Sequence, residues 1–246
     1  MSCFKTKTIL TVLCCFAVAG FAATGCGKKT ADQAAGSKAA AANTQKTPAA
    51  QAGVPQAAAV PEATPTVQQK PITEEKTYFG FEDELRGWEI PAWAQSKSDY
   101  VGKSVEISQD FAKEGKSSMK VTADFTGGRW TAALVEIEQY LDLSKYRVIS
   151  FDVYVPESAP MGLKANLIMT VGDNWKFVEM NQMIPLIPGQ WVTITANIEP
   201  GSYDWKRVVP DENFAKDVRK LAIRVVSNNK PVYAGPIYID NVRVGR

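Results

Sequence analysis

From residue 76 onward, apolar and polar positions alternate with a period of two. In Val148 to Val155, Ile149, Phe151, Val153 and Val155 alternate with mostly polar neighbours, the mark of a strand with one buried and one solvated face. Gln190 to Ile198 repeats it with Val192, Ile194, Ala196 and Ile198 inward, Leu221 to Ser227 with Ile223 and Val225, and Pro236 to Val244 continues it. Further strands are predicted near 77–82, 105–111, 117–125, 130–139, 163–171 and 175–186, about ten in all. Turn signals such as Gly127-Gly128, Gly172-Asp173-Asn174 and Pro188-Gly189 separate them. One short helix is predicted within 211–220. Short strands with regular turns predict an all-β domain, a jelly-roll β-sandwich.

The first 75 residues follow another pattern. Lys5 and Lys7 precede an apolar run from Ile9 to Ala23, broken only by Thr11 and Gly20, as in a secretory signal. At about 15 residues the run is short for a membrane span. It ends in Ala23-Thr24-Gly25-Cys26, which resembles the bacterial lipoprotein box, with Ala23 where Leu is usual. The resemblance implies a lipoprotein signal peptide over 1–25 and acylation of Cys26, palmitate included, as a membrane anchor. An ordinary secretory signal with Cys26 incidental is the alternative. Gly27 stands where Asp would retain a lipoprotein at the inner membrane, so the expected place is the cell envelope, at the outer membrane if the host has one. From Cys26 to residue 75 the chain is Ala, Gln, Thr and scattered Pro, too poor in apolar bulk to offset its ordering entropy, and a disordered linker is expected.

Composition narrows the function. Residues 27–75 contain no Phe, Trp or Tyr, whereas 76–246 hold all six Trp and all eight Tyr, so the core belongs to one domain over 76–246. That domain has 21 Lys and Arg against 22 Asp and Glu, which gives no argument for a nucleic-acid partner. With no His in the chain, His-dependent triads and His-ligated zinc are excluded. Cys3, Cys14 and Cys15 fall in the signal segment, leaving the domain no disulfide.

Several motifs carry a resemblance. Phe81-Glu82-Asp83 with Gly87-Trp88, Glu114-Gly115-Lys116-Ser117-Ser118, Leu141-Asp142-Leu143-Ser144 running into Ile149-Ser150-Phe151-Asp152-Val153-Tyr154-Val155-Pro156, Pro188-Gly189-Gln190-Trp191, and Gly235-Pro236-Ile237-Tyr238-Ile239-Asp240-Asn241-Val242-Arg243 resemble the β-jelly-roll carbohydrate-binding modules of bacterial glycan-degrading enzymes, family 27 in particular. The resemblance covers nearly all of 76–246. It implies a non-catalytic protein that binds polysaccharide of the β-mannan or β-glucan class through Trp platforms on one sheet. An assembly or scaffold lipoprotein whose sandwich binds a protein is the alternative.

Candidate platforms are Trp93, after Pro91 in a loop, Trp130, after Gly127-Gly128-Arg129, and Trp175, after Asp173-Asn174. Packing under loops is the competing reading for all three, and Trp205 is a further loop aromatic. Trp88 and Trp191 lie within fold motifs and are assigned to packing. If Ala133, Val135 and Ile137 point inward, Trp130, Leu134, Glu136 and Glu138 share the other face, with same-face neighbours roughly 7 Å apart. Glu136 and Glu138 are candidate hydroxyl acceptors; their spacing also suits a glycosidase pair, but catalytic carboxylates come from different elements around a cleft. Asn166 and Arg224 also point away from the core by parity. Glu82 and Asp240 occupy places where related modules hold a structural calcium, with a plain hydrogen-bonded pair as the alternative.

Overall fold

The structure, a computed structural model, describes residues 71–227 and 231–246. The predicted signal peptide, Cys26 and the linker up to residue 70 lie outside the described residues. The described chain runs through β1 (Glu75–Phe79), α1 (Ala92–Gln95), β2 (Gly102–Ser108), β3 (Ser118–Thr126), β4 (Ala132–Leu141), β5 (Val148–Tyr154), β6 (Lys164–Val171), β7 (Lys176–Glu179), β8 (Ile184–Pro185), β9 (Trp191–Asn197), β10 (Val218–Val226) and β11 (Val232–Gly245).

These strands form two sheets, all antiparallel. One has the order β2-β3-β11-β5-β9, with β1 beside the second half of β11; the other has the order β4-β10-β6-β7, with β8 also on β6. Alternation decides what lies between the sheets. Met119, Val121 and Phe125 of β3, Phe151 and Val153 of β5 and Ile194 of β9 meet Val135, Leu167, Met169, Leu221, Ile223 and Val225 from the other sheet, all buried. The predicted all-β sandwich is thus the observed architecture, with eleven strands.

Local differences have local causes. No helix forms over 211–220: successive turns fill 212–216 and β10 starts at Val218. The Asp211 carboxylate accepts the Asn213 N–H at 2.9 Å, and the Ala215 carbonyl accepts the Leu143 N–H at 2.7 Å, so side chain and neighbouring loop take groups a helix would need. The segment 175–186 splits into β7 and β8: Met180 still donates its N–H to the Leu167 carbonyl at 2.9 Å while bridging Trp205, and Pro185 has no N–H with which to extend a ladder. The fold also takes in residues before 76, since the Thr73 N–H donates to the Arg246 carbonyl at 2.7 Å.

One irregularity matters for the outer surface. Between Val218 and Lys220 the register of β10 slips against both neighbours: Val218 faces Leu141 and Val171, while Lys220 faces Glu138 and Thr170. Arg219 is therefore an extra residue against β6, whose Val171 and Thr170 are adjacent, while against β4 it stands alone opposite two residues, Gln139 and Tyr140. Val218 and Leu221 are core residues, and the bulge sends both Arg219 and Lys220 to the outer face, where strict alternation would send one.

Candidate functional site

The outer face of the five-stranded sheet is built in rows across β4, β10 and β6. Leu134, Arg224 and Asn166 form one row; Glu136, Ala222 and Ile168 the next, with Glu179 of β7 beside Ile168; Glu138, Lys220 and Thr170 the third. Leu134, Ile168 and Ala222 make a small apolar floor against which Tyr100 packs.

Aromatic rings stand at both ends of this face. At one end Tyr100 meets Trp93 edge-on at 5.0 Å and Trp130 edge-on at 5.9 Å. Trp93 is on α1, a single helical turn rather than plain loop, and is 39% exposed; Trp130 is half-buried. The Arg224 guanidinium lies 5.9 Å from the Trp130 ring. At the other end Trp175, 42% exposed, has a backbone φ of +54°, a left-handed conformation uncommon for a bulky residue and of the kind held at ligand sites. Its N–H donates to the Gly172 carbonyl at 3.1 Å, which closes the turn. Arg219 and Lys220 approach the Trp175 ring at 5.2 and 5.9 Å.

Between the ends the face is polar and charge-balanced. Arg224 donates to Glu179 at 2.8 Å and to the Asn166 carbonyl oxygen at 3.3 Å, and Lys206 takes the other Glu179 oxygen at 2.7 Å. Burial opposes the charge on Glu179, but the hydrogen bond from Lys206 and the nearby Arg224 cation outweigh it and hold its carboxyl below the ordinary range. Lys220 bridges Glu136 and Glu138 at 3.3 and 3.0 Å. Both carboxylates come from one strand and share one ammonium, so they do not flank a cleft as an acid/base pair must.

The predicted residues Trp93, Trp130, Trp175, Glu136, Glu138, Asn166 and Arg224 all fall on this face. One expectation needs correcting: Asn166 is fully buried and Arg224 nearly so. Arg224 is already committed to Glu179 and Asn166, so these two brace the floor and are not free forks for hydroxyls. Asn166 holds its oxygen toward Arg224 and leaves its amide nitrogen without a partner. Trp205 is buried, its ring N–H donating to the Asn197 carbonyl at 2.8 Å. Trp88 is buried in the core, and Trp191 is half-buried on the outside of the other sheet, against Tyr154 at 5.5 Å. Sequence reasoning missed Tyr100, Tyr140, Phe177, Glu179, Arg219 and Lys220. Parity was signal enough for Tyr140, two residues beyond Glu138, and for Phe177, next to inward Val178.

Glu82 and Asp240 meet across the loop 113–116. One Asp240 oxygen accepts the N–H groups of Lys113 and Glu114 at 2.8 and 3.1 Å, the other that of Asn241 at 2.7 Å, and Glu82 accepts the Lys116 N–H at 2.9 Å. Burial, opposed by those amides and aided by the nearby Glu82 charge, pushes the Asp240 carboxyl up to about 6. Gly115, at φ +64°, leaves the space that Glu82 fills, since a Cβ there would collide with the carboxylate. Both carboxylates already accept backbone N–H groups, so a calcium ion held by them would use their remaining lone pairs and complete its shell with backbone carbonyls and water. Among the described residues no third acidic, His or Cys side chain joins them.

The family model described as carbohydrate binding module 27 matches residues 68–246. Among solved structures, a family 27 module from Caldicellulosiruptor saccharolyticus in complex with mannohexaose is 21% identical, with 70% of this chain and 97% of that one covered and a TM-score of 0.50. A family 28 module specific for non-crystalline cellulose is 18% identical, with 71% and 96% covered and a TM-score of 0.50. At such identities these two likenesses concern the fold. No curated protein matches the chain.

Proposed function

Because the chain belongs to the carbohydrate-binding module 27 family, we propose that it binds a neutral polysaccharide of the β-mannan or β-glucan class along the outer face of the five-stranded sheet, and performs no chemistry on it. The observation that carries this reading is a pair of indoles, half-buried Trp130 and exposed Trp175, at opposite ends of a polar trough. Arg224 under one and Lys220 beside the other are four residues apart on β10, about 13 Å, so a chain of several sugar rings is needed to touch both. The mannohexaose bound by the Caldicellulosiruptor module supports a ligand of this kind. Each cation of the trough is paired with a carboxylate, which suits an uncharged polymer better than a uronic one.

The protein is expected to migrate more slowly through native gels containing β-mannan or mixed-linkage β-glucan, equally at low and high salt. Unretarded migration of the folded protein through every neutral glycan would remove this reading in favour of a protein partner.

Two parts of the proposal lie outside the face. Cys26 is acylated and anchors the protein to the cell envelope, at the outer membrane where there is one; the Thr24-Gly25-Cys26 junction supports this, and Cys26→Ser should abolish membrane fractionation. Glu82 and Asp240 hold a structural calcium. A ligand that binds only the native state adds about 2.7 kcal/mol at a hundredfold excess over its dissociation constant, so chelation should lower the melting temperature, and indifference to calcium would leave a hydrogen-bonded pair.

A further inference from the structure

Resting on the proposed glycan-binding face, we infer that the binding track does not stop at Trp175 but continues onto Tyr140, which forms a further sugar subsite braced by Arg219. Tyr140 is 64% exposed and Phe177 is 61% exposed, so this end of the sheet presents three open aromatic side chains with Trp175, none of them covered within the described residues. The Arg219 guanidinium lies between two of them, 5.3 Å from the Tyr140 ring and 5.2 Å from the Trp175 ring.

Arg219 is itself fixed. Its Nε donates to both Asp217 oxygens at 3.1 Å, its Nη2 to one of them at 2.9 Å, and its Nη1 reaches the Asp173 carbonyl at 3.4 Å, in the turn that carries Trp175. Holding a planar cation between two exposed rings limits their freedom before any ligand arrives, and preorganised rings bind at lower entropic cost. The β10 bulge makes the arrangement possible. Opposite Arg219 the β4 strand places two residues, Gln139 and Tyr140, both exposed. Bulges re-aim side chains in this way beside functional sites. The Arg219 guanidinium touches both Tyr140 and Trp175 and is paired with Asp217, so a glycan lying over Trp175 and running on to Tyr140 meets no unpaired charge at Arg219. The occupant is the next part of the same neutral polymer, because the cations that reach these rings are neutralised, Arg219 by Asp217 and Lys220 by Glu136 and Glu138.

The test compares two ligand lengths on the full chain: mannotetraose against mannohexaose, and cellotetraose against cellohexaose, with affinities from calorimetry and thermal melts as the control for folding. Tyr140→Ala should weaken the hexaose about fivefold, the low end of what one stacked ring supplies to a base on an aromatic side chain, and leave the tetraose unchanged. Tyr140→Phe keeps the ring and should retain hexaose affinity. Arg219→Gln releases both rings and should weaken both lengths. Unchanged hexaose binding by Tyr140→Ala would overturn the subsite and leave the glycan-binding reading intact. Equal loss at both lengths, or a loss in Tyr140→Phe matching that in Tyr140→Ala, would also overturn it. A parent protein that binds neither sugar at either length would overturn the glycan-binding reading and this subsite with it.

Discussion

The two outer faces of the sandwich both carry aromatic rings, and they use them in opposite ways. On the six-stranded sheet Phe111 stacks on Tyr154 at 4.5 Å and meets Tyr238 edge-on at 5.0 Å, while Tyr154 also contacts Trp191. The Tyr238 hydroxyl donates to Asp110 at 3.1 Å, and Asp110 is paired with Lys120. These rings satisfy one another, and the segment between β2 and β3 closes over them with Phe111. On the five-stranded sheet the rings stand apart at the two ends, cations sit against them, and the space between is polar. A closed aromatic cluster is a packing device; aromatic ends separated by a charge-paired trough are what the proposed glycan site requires. Ring-to-ring contacts occur on both faces, since Tyr100 joins Trp93 and Trp130; what separates the faces is the far end of the five-stranded sheet, where exposed Trp175 and Tyr140 meet cations rather than other rings among the described residues.

The sharpest way to break this comparison is to remove one ring from each face. Tyr154, buried among Phe111, Trp191 and Tyr238, should cost on the order of 3 kcal/mol when changed to Ala, a fall in melting temperature of about 10 °C for a domain of this size, with glycan affinity unchanged at temperatures where it stays folded. Trp175→Ala should do the reverse, leaving the melt within a degree or so and weakening oligosaccharide binding by about 1–3 kcal/mol, the range for stacking of bases on aromatic side chains. Trp130→Ala is expected to behave like Trp175→Ala with some added loss of stability, because Trp130 is half-buried against Arg224. Trp fluorescence titrated with glycan, alongside urea melts, reads both quantities. If Tyr154→Ala abolishes binding in the folded state while Trp175→Ala does not touch it, the assignment of the faces is reversed.

The contrast between the faces was half legible in the sequence. Alternation along β4 holds from Ala133 to Glu138, so the inward Ala133, Val135 and Ile137 and the outward Glu136 and Glu138 follow from period two alone. The bulge was not legible, because one inserted residue shows only as the adjacent cations Arg219 and Lys220, a pair equally natural in a loop; the predicted helix over 211–220 hid it further. Parity also cannot report what closes over a face. Asn166 and Arg224 point outward as parity says, yet they are buried because Tyr100 and Trp130, from the segments before β2 and before β4, settle onto the same floor. Glu179 stayed unseen since its role depends on Arg224 and Lys206, partners 45 and 27 residues away.

Glu179 provides the smallest and most specific test, because it ties the trough to the stability of its sheet. Its carboxyl is partly buried, which alone would raise its pKa, but Lys206 and Arg224 more than compensate and the folded value lies below the ordinary one. A lowered folded pKa means the unfolded chain takes up the proton first as pH falls. The stabilisation from this group is therefore complete above the unfolded carboxylate pKa and is lost as pH drops through the folded value. Urea melts across the acid range should show Glu179→Gln less stable than the parent at neutral pH and the two converging at low pH, where the parent carboxyl is protonated as well. The difference should be modest, since Lys206 is half exposed and its pair is screened by solvent. On the other face Asp110 is likewise held low, by its hydrogen bond from Lys120 and then those of Ser108 and Tyr238. Asp110→Asn therefore serves as the control: it should shift the acid dependence of stability in the same sense without altering glycan affinity, whereas Glu179→Gln, by freeing Arg224 beneath Trp130, should alter both. Unchanged glycan affinity in Glu179→Gln would show that the Arg224 brace does not set the position of Trp130.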